Sequence, residues 1–168
     1  GVLYDNYNVE SSIPMTQGLG LLDTTTTFVT EKVTHQVEAK IEQNSLLTRD
    51  LQESFLTGYE IHMGRTELGI GVKPAFTIWQ RSGQNVESPD GAVSPDGKIM
   101  GTYIHGIFDN DYFRRGIINV LRRAKGWEPL DEVRTISTLE QRQRDYDRLG
   151  ELVRGNMNME LLYKILNQ

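Results

Sequence analysis

Apolar and polar positions alternate along the first part of the chain, and an apolar stripe of helical period follows them near the end. Residues 24–27 are four consecutive threonines, β-branched side chains that favour extended backbone, so residues 19–29 are expected to be extended. "HQVEAKIE", residues 35–42, sets Val37, Ala39 and Ile41 between polar neighbours, the period of a half-buried strand. "LTGYEIHMG", residues 56–64, alternates Tyr59, Ile61 and Met63 with Gly58, Glu60 and His62. "AFTIWQ", residues 75–80, is β-branched and aromatic and reads as a further strand. Two Pro-Asp-Gly triplets at 89–91 and 95–97 have turn chemistry, because proline pre-sets one dihedral and glycine accepts a positive one. With "AVS" between them and "KIMGTYI" after them, a hairpin is expected there.

Beyond residue 110 the period changes. Phe113, Ile117, Val120, Leu121 and Ala124 form one helical stripe, with Asn110 or Asp109 available to cap its start. Arg122, Arg123 and Lys125 crowd the last turn, where cations suit the helix dipole, and Gly126 and Pro129 end it. Gly116 inside this helix costs about 1 kcal/mol relative to alanine, a cost that close packing against a neighbour would explain. Ser137-Thr138-Leu139-Glu140 has the spacing of a capping box and opens a second helix with Tyr146, Leu149, Leu152 and Val153 on its apolar face. "GNMN", residues 155–158, interrupts it, and Asn158 caps a last short helix carrying Met159, Leu162, Ile165 and Leu166.

Strands at about 19–106 and helices at about 110–166 taken alone suggest α+β, and would also suit the last part of an α/β domain whose first βαβ units are missing. "GVLYDNYNVE" has no initiator methionine and reads as mid-domain sequence, so a cut from a longer protein is expected. No fixed-period repeat or linker-like tract divides the 168 residues.

Composition narrows the classes. Hydrophobic residues make up 38% and charged residues 24%, the profile of a soluble globular chain. A formal net charge of −5 disfavours nonspecific binding to nucleic acid or anionic membranes. No apolar run approaches the roughly 18 residues of a membrane span, and no basic-then-apolar signal opens the chain. Zero cysteines rule out disulfides, thiolate zinc sites and a thiol nucleophile within these residues, and fit a cytoplasmic protein.

The candidate chemistry rests on histidine. His35, His62 and His105 are not spaced three to five residues apart, so no local metal motif is present. His35 opens a strand among polar neighbours and reads as a surface residue. His105 ends an apolar strand and is followed at once by Gly106, the setting in which a strand delivers a proton-transfer group to a loop. An imidazole with an unperturbed pKa of about 6.5 suits general acid–base work, but a histidine that merely bonds a carbonyl at a strand end explains the pattern as well. Glu60 and His62 share one strand face, with Tyr59 and Arg65 near, either an exposed polar face or a pocket lining. "GLGLLD" and "GIGVKP" are not nucleotide-binding loops, and no G-x-S-x-G elbow marks a serine hydrolase.

Taken in order, "GLGLLDTTTTF", "EKVTHQV", "GYEIHMGRT" and "DGAVSPDGKIMGTYIHGIFDNDYFRR" resemble the C-terminal part of the cobyric acid synthase family, from about Val9 to the end of the chain. The resemblance implies an α/β, flavodoxin-like class I glutamine amidotransferase domain, of which residues 1–168 are the distal part. It implies that His105 is the catalytic histidine, partnered by a cysteine in a glycine-rich elbow just upstream of Gly1. L-Glutamine would supply ammonia to a separate, N-terminal synthetase domain that holds ATP and magnesium and amidates a corrinoid, adenosylcobyrinic acid a,c-diamide. On that view the chain itself needs no cofactor or metal, and alone it is expected to be inactive for want of the thiol. Tyr59, Glu60 and His62 match the family's "GYEIH" word and are expected at the edge of the glutamine pocket. Many class I amidotransferases carry a glutamate two residues after the histidine. Here that position is Ile107, which leaves open the group that orients His105, Asp109 being near in sequence. Two other readings stand beside this one: a related amidotransferase acting on cobyrinic acid or a peptidoglycan precursor, and a non-catalytic binding module of the same fold.

Overall fold

The computed structural model describes residues 1–42, 44–51, 55–130 and 137–166, apart from the side chain of Leu139. The chain divides into two compact units, residues 1–130 and 131–168. The first holds a mixed sheet backed by one helix, and the second holds two helices, giving a mixed α/β architecture with its helices last.

The sheet is organised around one long strand. β1 is Val2–Tyr4, β2 Met15–Gln17, β3 Thr24–Ile41 and β4 Phe55–Leu68. One edge of β3 pairs antiparallel with β4 over Thr24–Phe28 and Val33–Lys40, with a register shift between Phe28 and Val33. Its other edge is shared: Thr25–Thr27 pair with β1 in parallel, and Val37–Ile41 pair antiparallel with β5, Phe76–Arg81. The two strands expected at 19–29 and 35–42 are therefore one strand, with the register shift lying between them. β1 and β2 are three-residue strands that hydrophobic period does not reveal. The loop between them is gathered by Asp5, whose carboxylate accepts the main-chain N–H groups of Val9, Glu10 and Ser11 at 2.7–2.8 Å.

β6, Gln84–Asp90, pairs among the described residues only with β5 and is an edge strand, which is why it tolerates Pro89 and needs no apolar alternation. The first Pro-Asp-Gly triplet is thus not a hairpin turn: Pro89 and Asp90 complete β6, and Gly91 bends the chain out of it with φ +71°. The second triplet is the turn expected. It joins β7, Ala92–Val93, to β8, Met100–Gly101, with Gly97 at φ +72° and its N–H bonded to the Ser94 carbonyl.

β9, Ile104–His105, pairs with the middle of β4, and a short 3-10 turn at Ile107–Asp109 leads into α1, Asp111–Ala124. The core lies between sheet and helix: Val37, Ala39, Ile41, Leu56, Phe76, Ile78, Ile104, Ile107, Phe113 and Ile117 are all buried. The α1 stripe is narrower than expected, since Phe113 and Ile117 are buried but Leu121 and Ala124 are exposed. Gly116 is explained by packing: a Cβ there would lie 2.2 Å from Leu51 Cδ2. Asn110 occupies the N-cap position but makes no capping bond with its side chain.

In the second unit, α2 spans Thr138–Asn156 and α3 Met159–Leu166. Ser137 precedes α2 without a side-chain cap bond, so the capping box does not form, and the break falls at Met157, within the expected residues 155–158. Asn158 does cap α3, accepting the Leu161 N–H at 3.0 Å. Tyr146, Leu149 and Leu152 are exposed.

Candidate active site

β4 has two faces, and their character is the reverse of what its apolar positions suggest. Glu60 is buried, His62 is half-buried and Gly64 is buried, whereas Tyr59 and Ile61 are exposed. A carboxylate can be buried only with partners, and Glu60 has them. Arg81 donates to it from Nε at 2.6 Å and from Nη2 at 2.8 Å, and His62 Nε2 lies 3.1 Å from Oε1. Burial alone would raise the Glu60 pKa, but the hydrogen bonds and charge of Arg81 and His62 outweigh it and hold the carboxyl below its usual range. The second nitrogen of His62, Nδ1, contacts the Gly64 carbonyl at 2.7 Å, and the ring packs on Tyr103 with centroids 4.5 Å apart.

This face opens into a cleft of about 390 Å³ lined by Glu60, His62, Arg81, Asp90, Thr102 and Tyr103 among others. A hydroxyl chain runs along its wall, from Tyr103 to Thr66 at 2.8 Å and on to Thr26 at 2.7 Å. Asp90 is buried and bonds the Thr102 hydroxyl; burial raises its pKa above the usual value against that bond. Among the described residues no group of three or more His, Cys, Asp or Glu could hold a metal ion.

His105 stands elsewhere. β9 pairs Tyr59 with His105 and Glu60 with Ile104, so Tyr59 and His105 share the outer face of the strands while Glu60 and Ile104 share the inner one. His105 is exposed at the carboxyl end of β9, and its Nε2 lies 3.3 Å from the Ile61 carbonyl of β4. Around it the outer face is apolar: Phe55, Tyr59 and Ile61 are exposed along β4, and Phe55 meets Trp79 edge-on with centroids 5.7 Å apart. Gly106 follows at φ +76°, a conformation that favours glycine. Ile107 turns inward and is buried against the core with Phe113 and Ile117. Gly58 lets β9 come close, since a Cβ there would lie 2.5 Å from Ile104 Cγ2 and 2.6 Å from the His105 carbonyl oxygen.

Of the residues singled out from the sequence, the structure brings Tyr59 and His105 together and places Glu60 and His62 on the opposite face. Sequence reasoning missed Arg81, Asp90, Thr102 and Tyr103. Only Arg81 carried a signal, a lone cation closing an apolar strand.

Residues 2–113 match the CobB/CobQ-like glutamine amidotransferase domain. A cobyric acid synthase of Thermoanaerobacter sp. (strain X514) is 40% identical over 99% of this chain and 33% of its own length. One from Dehalococcoides mccartyi (strain CBDB1) is 42% identical over 99% of this chain and 32% of its own. One from Limosilactobacillus reuteri (strain DSM 20016) is 44% identical over 98% of this chain and 31% of its own. The chain therefore spans about one third of the length of these relatives.

Proposed function

Since the chain belongs to the CobB/CobQ-like glutamine amidotransferase family, we propose that it is the distal part of the glutaminase domain of a cobyric acid synthase, with His105 as its proton-transfer group. The observation that carries the reading is the setting of His105 in a chain of this family: exposed at a strand end beside Tyr59, and followed by a glycine in place of a side chain.

The chemistry follows from that setting. A cysteine thiol of pKa about 8.5 is mostly protonated at neutral pH, so an imidazole that accepts its proton raises reactivity. The cysteine comes from outside these 168 residues, which contain none. His105 takes the Sγ proton, and the thiolate attacks the side-chain amide carbon of L-glutamine. The tetrahedral adduct collapses by breaking the C–N bond, and His105 returns the proton to the departing ammonia. Water then hydrolyses the thioester to glutamate. The exposed apolar strip of Phe55, Tyr59 and Ile61 beside His105 supports a site that another segment completes from this side, with Tyr59 at the glutamine. Glu60 and His62 line the cleft behind it and support the strand.

On this reading ammonia passes to a synthetase portion that uses ATP and magnesium to activate carboxylates of adenosylcobyrinic acid a,c-diamide, in the cytoplasm. Nothing in a net charge of −5 favours nucleic acid as a partner, and no described helix is long and apolar enough to cross a membrane. The test is to offer the full-length protein glutamine, ATP and each candidate acceptor in turn. Consumption of ATP with adenosylcobyrinic acid a,c-diamide supports the reading. Turnover only with cobyrinic acid or a peptidoglycan precursor assigns the same glutaminase to a different acceptor.

A further inference from the structure

The two-residue strand β9 is too short to hold His105 by itself, since only Tyr59↔His105 and Glu60↔Ile104 pair across it. The ladder is extended by a side chain. Asn110 accepts the main-chain N–H of Thr57 on Oδ1 at 2.9 Å and donates from Nδ2 to the Thr57 carbonyl at 2.8 Å. These are the two bonds that a strand residue opposite Thr57 would make. The carboxamide takes the place of a peptide unit and adds a rung where the chain itself has already turned away. The same Nδ2 reaches back to the Ile107 carbonyl at 3.0 Å and, more weakly, to that of Gly106 at 3.4 Å.

Asn110 is thus fastened to both ends of the problem. It grips β4 two residues before Tyr59, and it grips the turn that begins immediately after His105. The imidazole, meanwhile, leans on the Ile61 carbonyl of the same β4. Its distance to that carbonyl depends on how β9 and its turn sit against β4. Ile107, buried in the core, supplies no side chain for the purpose.

We propose that Asn110 is a positioning residue for His105, fixing the imidazole on β4 through the main chain. The proposal rests on His105 being the glutaminase proton-transfer group. It explains why the residue at the N-cap of α1 leaves its capping bond unmade: the carboxamide is committed to Thr57. A misplacement on the order of 1 Å at a reacting group costs about a hundredfold in rate, so loss of the rung is expected to be read in kcat rather than in glutamine binding.

The experiment uses the full-length protein with Asn110→Ala and Asn110→Ser, each assayed with glutamine and with ammonium as nitrogen source, alongside His105→Ala. Serine is among the best N-cap residues, so Asn110→Ser keeps the start of α1 while removing the rung to Thr57. The expected result is a fall in glutamine-dependent kcat of roughly ten- to a hundredfold in both variants, the KM for glutamine within about twofold and ammonium-dependent turnover unchanged. Full glutamine-dependent kcat in Asn110→Ser overturns the proposal. So does an equal loss with glutamine and ammonium, which would mean a general structural role. If His105→Ala itself leaves the glutamine-dependent rate intact, it is the assignment of His105 that fails, and the Asn110 variants then report on the fold alone.

Discussion

Glu60 and His105 stand on opposite faces of the same pair of strands, Glu60 turned inward to Arg81 and His62, His105 turned outward beside Tyr59. Consecutive strand residues point to opposite sides, so the five-residue word "GYEIH" serves two surfaces at once. Its Tyr59 faces the proposed glutamine side, and its Glu60 and His62 face the polar cleft behind it. The consequences of substitution on the two faces should differ in kind.

Glu60→Ala removes one half of a buried, two-point ion pair and leaves Arg81, itself 28% exposed, without its carboxylate. Breaking such a pair from one side destabilises by about 3 kcal/mol, less here to the extent that Arg81 can reach solvent. The expected outcome is a lower unfolding midpoint in urea, with the ratio of glutamine-dependent to ammonium-dependent turnover unchanged at low temperature. A selective loss of the glutamine-dependent rate would place Glu60 at the substrate instead.

Asp90 and Glu60 should give opposite pH signatures. Burial raises the Asp90 pKa above its unfolded value of about 3.9, so its contribution to stability is present below that pH and is lost as the pH rises through the higher folded-state value. Asp90→Asn removes this loss and should flatten the decline of the melting temperature from about pH 4 towards neutrality. For Glu60 the folded-state pKa is depressed by Arg81 and His62, so its stabilisation is present above about pH 4.3 and is lost as the pH falls through the lower folded value. Melting curves of the wild type and of each variant across pH 3–7 check both signs.

Gly58→Ala should act on the histidine without touching it. A Cβ at this position meets the His105 carbonyl oxygen at 2.6 Å and Ile104 Cγ2 at 2.5 Å. The first of these is backbone, which cannot turn aside as a flexible side chain can. β9 must therefore move away from β4, and His105 with it. The expected outcome is a glutamine-dependent rate reduced about tenfold or more, with ammonium-dependent turnover retained. Steady-state assays with the two nitrogen sources in parallel make the check.

Much of the frame was legible in the sequence because period reports local geometry. Val37, Ala39 and Ile41 alternate and are buried, and Phe113 and Ile117 lie one helical turn apart and are buried. Period could not say which face of β4 turns inward. Tyr59, Ile61 and Met63 look like the core side, yet Glu60 is the buried one because Arg81, twenty-one residues later, neutralises it. β6 was invisible because an edge strand needs no apolar alternation, and its Pro89 reads as a turn. The N-cap position of Asn110 was legible from its neighbours, but the bond its side chain makes instead, to Thr57, spans 53 residues, beyond any local pattern. His105 itself was legible, as a histidine between an apolar strand and a glycine. That its tether is the Ile61 carbonyl required the pairing of β9 with β4.

The central claim is that His105 moves the proton in glutamine hydrolysis, and a comparison of nitrogen sources tests it most directly. In the full-length protein, His105→Ala should abolish glutamine-dependent amidation, a loss of at least a hundredfold for a general acid–base group, while amidation supplied with ammonium continues at the wild-type rate. Unchanged activity with both nitrogen sources would contradict the account.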